Sequence, residues 1–188
     1  MARPMHVLGV SGSLRRASWN TGMLRAAGGV LPEGMSLEIF DIAPIPLYNQ
    51  DLDTPDTAPE PVLHFKERLR AADALLIATP EYNYSVPGVL KNAIDWASRP
   101  PSGSVLIGKP TALMGATPGR TGTARAQLAL RQSFVFTQTP VLPGPEVLVA
   151  EAQSRFAADG TLTDERTRKS VRTLLERLAA WTTRVRVG

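Results

Sequence analysis

Six side chains in one short stretch carry a dense set of hydrogen-bond donors. Ser11, Ser13, Ser18 and Thr21 bring hydroxyls, Asn20 an amide and Arg15 a fixed cation, all within residues 9–21. The apolar run over 5–10 before them reads as a buried strand, and Met23-Leu24-Arg25-Ala26-Ala27 after them reads as a helix. A strand that turns through small residues into a helix leaves backbone N–H groups unpaired at the helix start. The helix dipole favours negative charge at the same place. The chemistry this points to is anion binding. No Gly-Lys-Ser/Thr follows, so the loop is not a P-loop, and Gly9, Gly12 and Gly22 lack the G-x-G-x-x-G spacing. Hydroxyls stand in for glycine backbone, which suits a terminal monophosphate with three oxygens to satisfy, as in FMN. The same residues also fit a plain Ser-rich turn in which Ser18 caps the helix.

Other chemistries are poorly served. The chain has no cysteine, which removes disulfides, thiolate nucleophiles and cysteine-ligated metals and fits a reducing cytoplasm. His6 falls in the first strand and His64 on a helix face, and both read as structural. Arg15 stays charged and cannot move protons. The net charge of +4 and pI near 9.8 come from basic residues spread along the chain, with only 6% aromatics, so no nucleic-acid surface is expected. Such a charge instead attracts anionic small molecules such as a pyridine nucleotide. The first apolar run is too short for a signal peptide, and no stretch reaches the ~20 apolar residues of a membrane helix. A length of 188 residues with 43% hydrophobic content favours one folded domain over 1–188.

The elements that must position the loop alternate. Strands are expected over 5–10, 36–40, 73–79 and 110–115, and an irregular fifth over 140–142 and 147–149, broken by Pro143-Gly144-Pro145. Helices are expected over 19–28, stopped by Gly28-Gly29, and over 62–72, 86–98, 123–136 and 164–185. Residues 41–61 hold five prolines and form a long loop. Asp159-Gly160 marks a turn between Phe156 and Leu162. Strands alternating with helices give a doubly wound parallel sheet, and right-handed crossovers place the strand-end loops at one edge. The loops over 11–21, 80–85 and 116–122 therefore converge, where ligands of such sheets bind.

Two of those loops carry a resemblance. Gly12-Ser13-Leu14-Arg15-Arg16-Ala17-Ser18-Trp19-Asn20 and the run from Pro80-Glu81-Tyr82-Asn83-Tyr84 to Asp95-Trp96 resemble the two motifs of the NAD(P)H-dependent FMN reductase family. The chain looks most like its quinone and chromate reductase branch. The resemblance implies an α/β flavodoxin-like three-layer fold, a five-stranded parallel sheet in order 2-1-3-4-5 with helices on both faces. It implies FMN as cofactor and NADPH or NADH as donor. Quinones, chromate, azo or nitro compounds or free flavin would be acceptors, in ping-pong turnover within a homodimer or homotetramer. Ser11, Ser13, Arg15, Ser18, Asn20 and Thr21 would hold the FMN phosphate. Pro80, Glu81, Tyr82, Asn83 and Tyr84 would run beside the isoalloxazine ring, mainly through backbone groups. Gly115, Ala116, Thr117, Pro118 and Gly119 would lie at its pyrimidine end, offering N–H donors there. Lys91, Asn92 and Trp96 read as structural or interfacial. Arg125 and Glu146 resemble positions of an inter-subunit network, or are solvated surface charges. One departure stands out: Arg120-Thr121-Gly122-Thr123 replaces the Gly-Gly pair common in relatives before the fourth helix, and Arg120 adds a cation at the rim. The rival reading is a flavodoxin-type electron carrier, which the basic charge and Arg15 oppose. A flavin-free binding module on the same fold is a second rival.

Overall fold

Parallel strands form the middle layer of the molecule. A computed structural model describes residues 3–186. Strands β1 (Met5–Ser11), β2 (Met35–Phe40), β3 (Ala74–Ala78), β4 (Thr111–Ala116) and β5 (Val147–Val149) pair in parallel in the order β2-β1-β3-β4-β5. This is the flavodoxin-like order, with its reversal between β1 and β3. Helices α1 (Trp19–Gly28), α2 (Glu60–Ala71), α3 (Gly88–Ala97), α4 (Ala124–Phe136) and α5 (Glu165–Arg186) cover the two faces. Successive strand residues point to opposite sides. Val7, Leu76 and Met114 therefore pack with Leu24 of α1 and Leu175 of α5. Leu8, Ile77 and Leu113 pack on the other face with Phe65 of α2, Trp96 of α3 and Phe134 of α4.

The differences from the expected boundaries have local causes. Only 147–149 of the split fifth strand joins the sheet. Val141 makes a single bridge to Thr111, because Pro140 and Pro143 have no N–H to extend a ladder. Helix α2 starts two residues early, since Pro61 fits the first turn, where its missing N–H costs nothing. Helix α3 starts at Gly88, because Pro87 is extended and flanks the helix. Gly29 ends α1 in a right-handed conformation, donating back to the Ala26 carbonyl, so no left-handed cap is used. The turn at Asp159-Gly160 forms as expected, with Gly160 at φ +84° and a bridge between Phe156 and Leu162.

The proline-rich loop is fastened, not free. Asn92 Nδ2 and Trp96 Nε1 on α3 both donate to the Pro46 carbonyl at 2.8 Å, and Asn92 Oδ1 accepts from the Tyr48 N–H at 2.7 Å. Of the two readings of these side chains, structural or interfacial, their hydrogen bonds display the structural one. Buried Lys66 pairs with Asp53 at 3.2 Å and ties the loop's single 3-10 turn, Gln50–Leu52, to α2.

Helix α1 approaches the turn after Phe156 so closely that only hydrogen fits at Gly22. A Cβ there would collide with the Gly160 carbonyl oxygen. Gly22→Ala is expected to destabilise the protein at the upper end of the ~1–3 kcal/mol typical of overpacking. Urea unfolding with an unchanged midpoint would show that the helix can shift away at no cost.

Candidate functional site

The three strand-end loops meet. A cleft of 290 Å³ is lined by Ser13, Arg15, Ser18, Trp19 and Asn20 from the first, by Pro80, Glu81 and Tyr82 from the second, and by Ala116, Thr117 and Pro118 from the third. Its position follows from the topology. The first loop leaves β1 and the second leaves β3, the two strands at which the order reverses. The Gly12 N–H donates to the Ala78 carbonyl at 2.8 Å, which holds the first loop to the end of β3.

Within the first loop the six donors divide by role. Ser18 caps α1, its hydroxyl accepting from the Thr21 N–H at 3.3 Å, and it also lines the cleft. Ser11 and Thr21 sit behind the cleft wall. Thr21 Oγ1 donates to Ser11 Oγ at 2.9 Å, and Ser11 Oγ also accepts from the Ser13 N–H. They shape the loop from inside. Asn20 is 3% exposed and is clasped to the third loop: Nδ2 donates to the Ala116 carbonyl at 3.0 Å, and Oδ1 accepts from the Ala116 N–H at 2.9 Å. A carboxamide nitrogen carries two hydrogens, so one remains for a ligand. Arg15 is exposed, stands 5.7 Å from the Trp19 ring centroid and pairs with no carboxylate among the described residues. Trp19 is the lining residue that reading the loop for donors alone misses. It lies inside the quoted motif and supplies a flat apolar wall.

The second loop is a tight hairpin. Tyr82 and Ser85 exchange backbone hydrogen bonds at 3.1 and 2.9 Å, with Asn83 and Tyr84 between them at φ +48° and +64°. Two consecutive left-handed residues make a turn that glycine and asparagine favour. Tyr84 is an unusual occupant of it. Its ring lies 3.8 Å from the Arg125 guanidinium, and this contact supports the conformation. Tyr82 and Tyr84 are exposed. Asn83 and Tyr84 do not line the cleft but project beside it.

Glu81 turns away from the cleft's centre. Its carboxylate accepts from the backbone N–H groups of Arg125 at 3.0 Å and Ala126 at 3.3 Å, and from the Thr121 hydroxyl at 3.3 Å. It also pairs with the Arg125 guanidinium at 3.0 Å. Its side chain is 8% exposed. It therefore caps α4 from another loop. The cap is needed because Thr123, the residue at the helix start, is left-handed at φ +72° and offers no side-chain bond to the first turn. Gly122 and Thr123 both have positive φ, so the sharp turn of a Gly-Gly pair survives without the second glycine. Gln127 steadies it, donating to Thr123 Oγ1 at 3.1 Å and to the Val147 carbonyl at 3.2 Å.

The amides at the start of the third loop are committed, whereas those of Arg120, Thr121 and Gly122 have no protein acceptor among the described residues. Ala116 N–H donates to Asn20, Thr117 N–H to the Val149 carbonyl at 3.0 Å, and Gly119 N–H to Thr117 Oγ1 at 3.4 Å, while Pro118 has none. The donors expected at this end are thus spent within the protein. In the second loop, among the described residues, the N–H groups of Glu81, Asn83 and Tyr84 have no protein acceptor. At Gly115 a Cβ would collide with the Thr79 carbonyl and Thr123 Oγ1, so the close approach of β4 to its own loop requires glycine. Arg125 finds its partner within the chain, and Glu146 lies on a separate groove beside β5.

Comparison with known proteins places this geometry. Residues 5–154 match the profile of the family described as NADPH-dependent FMN reductase. An NAD(P)H-dependent FMN reductase of Pseudomonas aeruginosa is 52% identical over 186 residues, covering 99% of this chain and 100% of that protein. A 2-hydroxy-1,4-benzoquinone reductase of a Burkholderia species is 44% identical, covering 92% and 93%. The solved structure of the flavoenzyme NAD(P)H:(acceptor) oxidoreductase FerB from Paracoccus denitrificans superposes with a TM-score of 0.86 at 36% identity, covering 96% and 98%.

Removing the Glu81 carboxylate leaves the first turn of α4 without its acceptor. Glu81→Ala is expected to cost about 1–2 kcal/mol, as for loss of a cap, with Glu81→Gln recovering part of it. Hydrogen exchange at Arg125 and Ala126 reports the local effect, and unchanged protection there would show that the cap is dispensable.

Proposed function

Because the chain belongs to the NADPH-dependent FMN reductase family, and so is an oxidoreductase that works with FMN and a nicotinamide nucleotide, we propose that the three-loop cleft holds the flavin and that quinones are among its acceptors. The observation that carries this is Arg15. A cation free of carboxylates shares one cleft with the capped start of α1 and with the ends of both other loops. The donor set fits a phosphate dianion: a guanidinium, the hydroxyls of Ser13 and Ser18, one N–H of Asn20 and the positive end of α1. When bound, FMN supplies the hydride chemistry between nicotinamide and acceptor.

The chain's own residues do the positioning. Arg15 would offset the phosphate charge. The Ser11–Thr21 pair and the Asn20 clasp fix the loop before any ligand arrives, which lowers the ordering cost of binding. Pro80, Glu81 and Tyr82 line the cleft where the ring would lie, and the uncommitted N–H groups of Glu81 in the cleft and of Asn83 and Tyr84 beside it would be donors for its carbonyls. Trp19 and Tyr82 give the opening apolar walls suited to flat aromatic substrates. The exposed rim at Arg120 suits an anionic nucleotide. Chromate, azo or nitro compounds and free flavin are further proposed acceptors, with ping-pong kinetics, since donor and acceptor would use the same opening. The cysteine-free sequence supports a cytoplasmic setting.

The decisive assay follows NADPH and NADH consumption with added FMN against a quinone, chromate and an azo dye. Quinone-dependent oxidation with parallel reciprocal plots is expected. Arg15→Ala is expected to weaken FMN binding by about 1.5–3 kcal/mol in a fluorescence titration, and unchanged affinity would remove Arg15 from the site. A protein that stays colourless with FMN overturns the flavin reading. One that is yellow but inert to NADPH without a partner reductase belongs with the carriers.

A homodimer or homotetramer is proposed as well. Leu128, Val135 and Phe136 leave α4 with side chains 62%, 77% and 70% exposed, and a second copy would cover them. Light scattering is expected to give a multiple of 20.3 kDa, and a monomer at micromolar concentration overturns the proposal.

A further inference from the structure

Helix α5 has two charge faces of different character. On one, Arg168 pairs with Glu165 at 3.2 Å and Arg172 with Glu176 at 3.1 Å. On the other, Arg166, Lys169, Arg177 and Arg184 fall at spacings of three, eight and seven, which keeps them on one stripe. None of these four pairs with a carboxylate among the described residues, and all are exposed. Like charges gathered on one exposed face make a positive surface that an anionic partner can meet.

The stripe borders a groove. Three cavities of 520, 390 and 280 Å³ follow one another between α5 and the stretch that leads into β5. The first two share Pro145 and Thr173, and the last two share Glu146, Val147, Arg166 and Ser170, so they form one channel. At the end of the channel nearest the helix's C-terminus the lining includes apolar Pro143 and Trp181, with Leu142 buried beneath, whereas the end nearest β5 is mostly polar. Trp181 Nε1 donates to the Pro140 carbonyl at 2.9 Å, which fixes the ring in place. The channel shares no lining residue with the three-loop cleft.

The geometry points to a docking groove for an extended acidic segment of a partner polypeptide, with apolar side chains between its carboxylates. From Arg166 to Arg184 the helix rises about 27 Å, the length of about eight extended residues and too long for one small molecule. The rises from Lys169 to Arg177 and from Arg177 to Arg184, about 12 and 10.5 Å, match acids placed every third or fourth residue of an extended chain. Apolar residues between them reach Pro143 and Trp181. Glu146 stands within the channel and disfavours an acid beside it, which gives the groove a preferred register. A lipid surface fits less well, because the apolar groups lie at the bottom of a groove and cannot enter a bilayer. Single-stranded nucleic acid fits less well, because its sites stack successive bases on aromatic rings and this groove offers one.

The test uses the full chain and a fluorescein-labelled peptide with glutamate at every fourth position and valine or leucine between, read by anisotropy at low salt. Binding is expected, weakening with added salt. The double variant Lys169→Glu with Arg177→Glu, both exposed side chains, is expected to weaken it roughly tenfold or more while leaving NADPH oxidation unchanged. No binding, equal binding by the variant, or tighter binding of oligothymidylate or of phosphatidylglycerol vesicles than of the peptide would overturn the proposal. Each of these outcomes leaves the flavin reading untouched.

Discussion

A buried amide holds the candidate site together. Asn20 reaches from the start of α1 to the end of β4 and satisfies both backbone groups of Ala116 at 3.0 and 2.9 Å. Leaving a buried donor or acceptor without its partner costs about 1–3 kcal/mol. The clasp therefore penalises any separation of the first and third loops. Two further ties complete the set: the Gly12 N–H on the Ala78 carbonyl, and Glu81 on the first turn of α4. Each loop is fastened to the next by a polar contact between segments distant in sequence.

The sheet makes such ties possible. Parallel pairing of β1 with β3 and of β3 with β4 puts the three strand ends at one edge. Strand β3 is wholly buried between the helix layers and has no freedom to slip. Close approaches that only glycine allows, at Gly22 and Gly115, bring α1 and the third loop to their working distance. Strain is accepted locally: Tyr84 and Thr123 hold left-handed conformations that cost of order 1–3 kcal/mol each. Each is braced, Tyr84 by Arg125 and Thr123 by Gln127.

Charge is distributed unevenly over this frame. Acidic partners neutralise Arg125, Arg68 and Arg168, whereas Arg15 at the cleft and the α5 stripe have none among the described residues. A net +4 is thus not a uniform property of the surface. Cations without a carboxylate partner stand, among other places, at the edge of the sheet and along one helix, where an anion gains by binding.

Which loops meet was legible in the sequence, because strand and helix periodicities and the positions of proline and glycine are local properties. They yielded the alternating strands and helices and the three loops, while the strand order was implied only by the resemblance of two motifs to a known family; Arg15 and Ser18 do line the cleft those loops form. The fate of each donor was not legible. Asn20 and Ala116 are separated by 96 residues, Glu81 and Arg125 by 44. Whether a hydroxyl or amide faces a ligand or is consumed inside depends on which distant group lies opposite it. The packing of strands and helices decided that Ser11 and Thr21 bond to each other, that the amides of Ala116 and Thr117 are spent within the protein, and that Glu81 caps a helix.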